Sequence, residues 1–404
     1  MAAPAVSKNT WTLDEWYGQA VAGDADYVGI SAYEAWGDND YGQLGLNDRN
    51  DRSSPTQVSS DSTWDVSKLV QAGQYSLAIK TDGTLWTWGY NLNGELAQND
   101  RNARSSPTQV GTATDWVEPA HQIASQTTGA AFRENSSPGT GSLWAWGKNY
   151  FGAMGQNQSP STQAAYSSPV QIPTGDGTYW LTASLTYSGC FATRSNGTGW
   201  VWGDNSNGRL GLNETQFASR SSPTVIPGSW TKGYFNNAST CFGFRPGNNL
   251  WSWGYHGRGT LGQNDVQSKS SPVQIPGDWN QATGKFSSYW RAVGAIQGDG
   301  SLWVWGWNSV GELGLNESGA WGNAGSRSSP TQLGTDTNWS TIMTGKQIMV
   351  GTKTDGTIWS WGYNAQGELG QGDRTQYSSP VQVPGTWSSS GKAGTKVSGA
   401  LANI

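Results

Sequence analysis

Hydrophobic and polar residues alternate in one short motif that returns seven times along the chain. The motif is apolar-Trp-x-Trp-Gly, first clear at Leu85 to Gly89, with a worn copy at Tyr33 to Gly37. Alternation with period two is typical of a β-strand and places both tryptophans on one face of a sheet. The closing glycines stand at 37, 89, 147, 203, 254, 306 and 362, so the intervals are 52, 58, 56, 51, 52 and 56 residues. This spacing predicts a repeat architecture.

Each repeat carries further parts in a fixed order. A strand of small and β-branched residues comes first, as in Ala72 to Ile79, and is followed by an Asn-Gly or Asp-Gly pair such as Asp82-Gly83, which suits a type I′ hairpin. After the Trp-Gly strand come a loop Asn-x-x-Gly-x-Leu-Gly, as in Asn39 to Gly45, and a Ser-Ser-Pro turn that leads into a short strand. Another tryptophan stands seven to eleven residues after each proline: Trp64, Trp116, Trp180, Trp230, Trp279, Trp339 and Trp387.

The tryptophans supply the predicted core. Twenty of the 25 occupy repeat positions, thirteen in the Trp-Gly strands and seven after the prolines. A tryptophan-rich surface would suit sugar or base stacking, but periodic tryptophans in alternating strands are typical of packing between neighbouring sheets. Each buried ring removes about 150–250 Å² from water.

The repeat predicts an all-β fold, a seven-bladed β-propeller of four-stranded antiparallel blades. The innermost strands should be rich in small residues because they crowd the axis, as in 182–184, 237–239 and 286–288. The C-terminal segment 393–401 is predicted to be an inner strand without its Trp-Gly partner, and the N-terminus begins with that partner. The two ends should therefore form one composite blade that closes the ring. We assign 1–26 to an N-terminal arm, with a short helix near 14–22, and 27–404 to the propeller.

Composition and charge argue against several classes of function. The net charge is −5 and no Lys/Arg-rich tail is present, which argues against a nucleic-acid partner. No apolar run approaches the ~20 residues that span a bilayer, so no membrane role is expected. The N-terminus lacks the pattern of a secretory signal.

The repeating units, Asp-Gly-x-Leu-Trp-x-Trp-Gly, Asn-x-x-Gly-x-Leu-Gly and Pro-x-x-Val, resemble the regulator of chromosome condensation repeat family. The resemblance covers about 27–404 and implies a seven-bladed propeller with the same two-ended closure. The founding member is a nucleotide-exchange factor for a small GTPase that binds chromatin, but this chain has two histidines, no basic tail and an acidic balance. The repeated Arg-Ser-Ser-Pro-Thr-Gln-Val segments and the start at 11–17 are similar to propellers encoded by marine bacteriophages.

The histidines, the cysteines and a few charged residues are the candidates for catalysis or for binding a metal ion or an anion. His256 replaces the asparagine that begins the loop in the other repeats, so we expect it to make the same loop-capping hydrogen bond; His121 has no partner in view. Cys190 and Cys241 each stand 13 residues before their Trp-Gly glycine, and we expect buried free thiols at equivalent inner-strand positions. The segment 48–51 favours an Asx-turn over a calcium loop. Basic residues precede Ser-Ser-Pro in five repeats, which favours hydrogen bonding between blades over an anion site: Arg52, Arg104, Arg220, Lys269 and Arg327.

We therefore expect a non-enzymatic protein with no cofactor and no metal site. The leading hypothesis is a bacteriophage virion component, a capsid decoration or tail protein, made in the host cytoplasm and displayed on the particle surface. The expected partners are other virion proteins. The alternatives are a module that binds a host-surface glycan or protein and, more remotely, a GTPase exchange factor. Four residues are expected to contact a partner, three in the arm and one in the longest loop: Trp11, Trp16, Tyr17 and Trp321.

Overall fold

A computed structural model gives the fold. Residues 1–33 are outside its described part, so the proposed arm, its helix, its boundary at residue 26 and its contact residues Trp11, Trp16 and Tyr17 lie outside the described residues. Trp321 and His121 lie outside them as well. The described residues are 34–37, 39–59, 61, 63–71, 74–120, 122–123, 127–134, 141–214, 218–236, 240–319, 325–345, 347–365, 369, 371, 373–383, 392–393 and 398–399.

Short antiparallel strands make up the first half of the described chain. It opens with β1 (Glu34–Gly37) paired to β2 (Arg52–Gln57). Four-stranded blades follow, and within each the spatial order is the chain order. Blades 1 to 3 contain β3 (Trp64–Gln71), β4 (Tyr75–Lys80), β5 (Leu85–Gly89) and β6 (Arg104–Gln109); β7 (Trp116–Pro119), the short β8 (Gln122–Ile123), β9 (Thr128–Glu134), β10 (Gly141–Lys148) and β11 (Ala165–Gln171); and β12 (Trp180–Thr186), β13 (Gly189–Arg194), β14 (Thr198–Gly203) and β15 (Arg220–Ser229).

The second half repeats the same blade three times. Parallel pairing of β8 with β12 and antiparallel pairing of Gly141 with Trp180 join blades 2 and 3 into one nine-stranded sheet. Blades 4 to 6 contain β16 (Lys232–Phe235), β17 (Thr240–Arg245), β18 (Asn249–Gly254) and β19 (Lys269–Ile275); β20 (Phe286–Tyr289), β21 (Ala292–Ile296), β22 (Leu302–Gly306) and β23 (Arg327–Gln332); and β24 (Trp339–Thr344), β25 (Ile348–Lys353), β26 (Ile358–Gly362) and β27 (Tyr377–Gln382).

The two ends of the described chain meet. The last pair, β28 (Lys392–Ala393) and β29 (Ser398–Gly399), places β29 within 8 Å of β1 between Cα atoms. A composite blade formed by the two chain ends requires this contact. Together with the six four-stranded blades, it agrees with a ring of seven blades. The all-β prediction is confirmed: the helical elements of the described residues are two 3₁₀ turns, Tyr150–Gly152 and Ser206–Gly208. None of the described helices could cross a membrane.

The first strand of each blade lies at the axis. Neighbouring first strands contact each other, as β12 does β16 and β20 does β24. As predicted, β12 carries the small residues 182–184 and β20 carries the serines of 286–288, while 237–239 lies outside the described residues. The cysteines occupy equivalent positions, but in the second strands β13 and β17, opposite Trp202 and Trp253, so the expected inner-strand location is wrong.

At the Asp82-Gly83 pair, the turn between the second and third strands is not the predicted type I′. Gly83 N–H donates to the Lys80 carbonyl and Gly83 has φ +77°, whereas Asp82 is not among the residues with positive φ. A type I′ turn needs positive φ at both central residues, so this is a type I turn followed by a left-handed glycine. The Asp82 carboxylate accepts hydrogen bonds from the Thr84 N–H and hydroxyl, which holds the turn.

The Ser-Ser-Pro segment is a bulge inside the outer strand rather than a turn before it. In blade 1, Thr87 pairs with Thr108 and Gly89 with Arg104, so Ser105, Ser106 and Pro107 oppose one residue. Proline lacks the N–H that a central strand needs, and an outer strand tolerates that loss. The bulge turns backbone groups away from their own sheet and toward the preceding blade.

Candidate functional site

Tryptophans fasten each blade to the one before it. In blades 1 to 6 the second tryptophan of the Trp-x-Trp-Gly strand is fully buried, and in blade 1 Trp88 Nε1 donates to the Gln43 carbonyl at 2.9 Å. The same bond recurs in the other blades between Trp146 and Glu95, Trp202 and Ala153, Trp253 and Arg209, Trp305 and Thr260, and Trp361 and Glu312. The core interpretation of these tryptophans is confirmed.

A second contact between blades uses the bulge. Asn47 N–H donates to the Ser105 carbonyl at 2.7 Å, and the Ser106 hydroxyl donates to Asn47 Oδ1 at 2.9 Å. Asn47 has φ +63°, a left-handed conformation that asparagine tolerates better than most residues. Equivalent left-handed asparagines donate to the next blade in turn: Asn99, Asn157, Asn213, Asn264 and Asn316.

The loop after the Trp-Gly strand is held by its first side chain. In blade 1, Asn91 Oδ1 accepts from the Leu96 N–H at 2.9 Å and its Nδ2 donates to Asp100. In blade 4, His256 Nδ1 accepts from the Leu261 N–H at 2.8 Å, so the prediction that His256 replaces the capping asparagine is confirmed. Burial lowers the pKa of His256, which keeps the imidazole neutral.

A basic side chain is clamped between two tryptophans in five blades. Lys80 Nζ lies 4.7 Å from the Trp64 ring and 3.9 Å from the Trp86 ring, and pairs with Asp61 at 2.5 Å. Arg133, Arg194, Arg245 and Lys353 occupy the same place. We call each such set a cation clamp. Sequence reasoning missed it, although a Lys or Arg six residues before the first tryptophan of blades 1, 3, 4 and 6 was a readable signal.

Among the described residues, the basic side chains before Ser-Ser-Pro pair within their own loops, so the expected hydrogen bonding between blades is wrong. Arg52 pairs with Asp48 of its own loop at 2.6 Å, and Lys269 pairs with Asp265 at 2.7 Å. In each case the acid lies four to ten residues upstream, so the basic side chain reaches it within the same loop. The other pairs are Arg104 with Asp100, Arg220 with Glu214, and Arg327 with Glu317.

The remaining chemistry-bearing residues have structural surroundings. Cys190 and Cys241 are free and buried, as expected, and burial raises the pKa of both thiols. Asp48 Oδ1 accepts from the Asn50 N–H at 3.0 Å, which is the expected Asx-turn. Within the described ranges, no three His, Cys, Asp or Glu side chains are grouped to hold a metal ion.

One face of the ring carries the exposed apolar side chains. In an antiparallel blade, the connections from first to second strand and from third to fourth strand leave from the same end, and we call that end the loop face. Most of the large apolar side chains that are exposed in the described residues belong to these connections: Leu92, Tyr150, Phe151, Tyr187 and Val266. Exposed apolar side chains gathered on one face are typical of an interaction surface.

Blades 4 and 5 place a tryptophan–arginine cluster on the loop face, formed by Arg258, Trp290, Arg291 and Trp307. The two indole rings meet edge to face, with centroids 6.2 Å apart. The guanidinium carbons of Arg258 and Arg291 lie 4.7 and 4.8 Å from the Trp307 ring. Neither tryptophan belongs to the twenty repeat positions, so the packing that explains the others does not account for this pair.

Trp290 adopts an unusual backbone conformation. It is the first residue of the two-residue turn between β20 and β21, and it has φ +50°. Left-handed φ favours glycine and costs a bulky residue about 1–2 kcal/mol. Trp307 follows β22 directly and begins the connection whose later part contains Trp321. The structure thus identifies Trp290 and Trp307, which the sequence analysis did not include among its expected contact residues.

Comparison with known proteins agrees with this architecture. The family model for the regulator of chromosome condensation (RCC1) repeat matches residues 35–79 and 355–399. The solved structure of Prp20p from Saccharomyces cerevisiae superposes with a TM-score of 0.69 at 16% identity, over 88% of both chains. Human WBSCR16 superposes with a TM-score of 0.71 at 16% identity, over 92% of this chain and 99% of that one.

The fold is an RCC1-like β-propeller. Among curated proteins, the chain is similar to the ultraviolet-B receptor UVR8 of Arabidopsis thaliana, at 27% identity over 325 residues, or 78% of this chain and 69% of UVR8. It is also similar to the E3 ubiquitin-protein ligase HERC2 of Homo sapiens, at 23% identity over 224 residues, or 54% of this chain and 4% of HERC2. The chain thus spans about two thirds of UVR8 and a small part of HERC2.

Proposed function

We propose that this RCC1-like propeller is a non-enzymatic interaction protein that binds a protein partner through its loop face. Trp290 is the observation that carries the proposal. Its left-handed backbone costs folding free energy, yet its part-buried ring lies beside Arg291 and meets the Trp307 ring on the face where other apolar side chains are exposed. Backbone strain of this kind is concentrated at binding and active sites. Tryptophan and arginine are also the residues most enriched among those that dominate binding energy.

The fold neighbours support a protein partner. The structure of Prp20p is described together with its binding to Gsp1p and histones, and yeast RCC1 (Prp20) has been solved bound to Kap60. At 16% identity these likenesses transfer only the fold, so the nature of this chain's partner is inferred from its own surface. The two arginines of the cluster favour a partner segment that carries carboxylates.

We further propose that the partner belongs to a bacteriophage particle, with the chain as a capsid decoration or tail protein displayed on the virion surface after synthesis in the host cytoplasm. The support is the similarity of its repeats and of residues 11–17 to propellers of marine bacteriophages. A module that binds a host-surface glycan or protein is the second proposal. Exchange on a small GTPase rests on the fold likeness alone.

The experiment is an inventory of purified particles by quantitative mass spectrometry, with the wild-type chain or with Trp290→Gly. Glycine relieves the strained backbone while losing the ring contacts with Trp307 and Arg291, so the variant should melt within a few degrees of wild type. Its copy number per particle should fall at least tenfold. Val225→Ala, at an exposed apolar side chain of the outer strand β15 and outside the loop-face connections, is the matched control and should leave the copy number unchanged.

Two outcomes would contradict the proposal in different ways. If the wild-type chain is missing from purified particles, the virion assignment fails. If the chain is present and Trp290→Gly assembles as well as wild type, the loop-face docking assignment fails and the cluster only packs within its own blades.

A further inference from the structure

A groove of about 420 Å³ lies between blades 5 and 6, away from the loop-face cluster. Blade 5 contributes residues 314–316 and 333–336, and blade 6 contributes the tryptophans of its cation clamp, Trp339 and Trp359, with Lys353 between them. Ser379 and Pro380 of β27 complete the lining. The volume falls in the ordinary range for a small-molecule site.

The groove opens onto the cation clamp of blade 6. The carboxylate that pairs with this clamp's lysine is more exposed than those of the clamps in blades 1 to 3. Asp336 pairs with Lys353 at 2.7 Å and keeps 53% of its side chain exposed, compared with 34% for Asp61, 40% for Asp115 and 47% for Asp176 in the clamps of blades 1 to 3. Its second oxygen therefore remains accessible for a ligand. Gly334 lies beside it with φ +63°, and a Cβ added there would meet nothing within 4 Å.

The side chains of the groove limit the ligand chemistry. Lys353 Nζ lies 4.3 Å from the Trp359 ring, in the position that a cationic ligand would take, so a second cation is excluded. The exposed Asp336 carboxylate repels an anion at the same place. Leu315, Leu333 and Pro380 provide apolar walls, while Asn316 and Ser379 add an amide and a hydroxyl. The combination suits a neutral ring that is apolar on its faces and hydroxylated at its edge.

We propose that this groove binds a neutral saccharide. One face of a pyranose ring packs against the indole of Trp359, and its hydroxyls donate to the Asp336 carboxylate and accept from the Lys353 ammonium and the Asn316 amide. The proposal is independent of the loop-face cluster, since the two sites share no residue.

The groove is also less filled by polar side chains than its counterpart at blade 1. In blade 1, Gln98 Nε2 donates to the Thr87 hydroxyl and the Thr108 carbonyl, which ties its amide to the sheet. The residue at that position in blade 5 is Leu315, opposite Val304, so the groove has an apolar wall there. An apolar wall beside a few polar groups is the usual composition of a small-molecule site.

Saturation-transfer difference NMR on the full chain tests the site, with the methyl β-glycosides of glucose, galactose and N-acetylglucosamine as probes. We expect transfer to the ring C–H protons of at least one glycoside, with a dissociation constant of about 1–10 mM. Asp336→Asn should weaken binding at least fivefold, and Trp359→Leu at least tenfold.

Two further variants keep the test independent of folding. Gly334→Asn places an amide at the groove mouth in a backbone conformation that asparagines adopt elsewhere in this chain, so it should melt like wild type and weaken binding at least fivefold. Trp86→Leu, the equivalent tryptophan in blade 1, should leave binding unchanged. The site assignment is overturned if none of the glycosides binds at about 50 mM, or if binding is insensitive to Asp336→Asn and Gly334→Asn.

Discussion

The two tryptophans of each Trp-x-Trp-Gly strand have different surroundings, although sequence pattern treats them alike. Trp88 is fully buried and donates across the blade interface, whereas Trp86 is part-buried, donates to Thr84 of its own turn and covers Lys80. Period-two alternation predicted their shared face correctly. It could not separate them, because the difference depends on the neighbouring blade.

Alanine substitutions at Trp88 and Trp86 should therefore lower the unfolding free energy by different amounts. Trp88→Ala should cost about 3–5 kcal/mol of unfolding free energy, the usual loss for a buried tryptophan. Trp86→Ala should cost about 2 kcal/mol, since part of that ring is already in water. Equilibrium urea unfolding of both variants measures the difference. Equal losses would show that the interface bond and the deeper burial of Trp88 contribute nothing extra.

His256 makes stability depend on pH in a way that asparagine would not. Burial lowers its folded pKa below the usual 6.5, with Asp265 opposing the shift from 3.4 Å away. Between the folded and unfolded pKa values, the unfolded chain binds more protons, so unfolding becomes easier as pH falls below about 6.5. The stabilisation is fully present above that pH. His256→Asn should keep the Leu261 cap and flatten the unfolding free energy from pH 7 to pH 5. A wild-type curve that is already flat over this range would contradict the burial argument.

At the scale of strands and loops, sequence reasoning found the repeating parts and misassigned some of their geometry. Asp-Gly pairs marked the turns correctly, but the turn type depends on the φ of Asp82, which composition does not fix. The sequence predicts a turn at Ser-Ser-Pro because proline often begins a turn. Its place in an outer strand follows from the partner strand and from the preceding blade, whose Asn47 N–H donates to the Ser105 carbonyl.

Two positions within the repeats change together, which is a signal of side-chain contact that is present in the sequence. Where the middle residue of Trp-x-Trp bears a hydroxyl, a glutamine follows eleven residues later, and where it is valine, a leucine follows: Thr87 with Gln98, Ser252 with Gln263, Ser360 with Gln371, Val201 with Leu212, and Val304 with Leu315. In the structure, each of these three glutamines donates to the hydroxyl of its partner.

Glycines at the blade interface should be less replaceable than glycines with equal backbone strain elsewhere. Gly94 has φ +88° and an added Cβ would lie 2.6 Å from the Ser167 Cα of the next blade, whereas Gly175 has φ +77° and nothing within 4 Å. Both alanine variants pay about 1 kcal/mol for the left-handed backbone. Gly94→Ala should lose a further ~1–3 kcal/mol because the interface is overpacked. Thermal melts that show equal losses would mean that the blades separate without cost.

At the scale of the whole molecule, the ring was predictable and its partner was not. In blades 1 to 6 the second tryptophan of the Trp-x-Trp-Gly strand is buried and donates to the preceding blade, so seven copies with complementary ends specify closure. Binding side chains obey no such periodicity. Trp290 and Arg291 became visible only when the structure placed them beside Trp307 and Arg258.

The junction between the chain ends gives the last prediction. β29 is the described strand that brings the C-terminus to β1, and removing 393–404 takes it away together with the inner strand predicted for the composite blade. The remaining blades would then present an unpaired edge, which favours association between chains. The truncated chain should aggregate on size-exclusion chromatography or unfold in a broad transition. Deletion of 2–24 is the matched control and should leave the melt unchanged, because the sequence assigns the propeller to 27–404. A soluble monomer with an unchanged melt after the C-terminal deletion would mean that the ring is held without its junction. If the N-terminal deletion unfolds the chain instead, those residues stabilise the propeller and are not a docking arm.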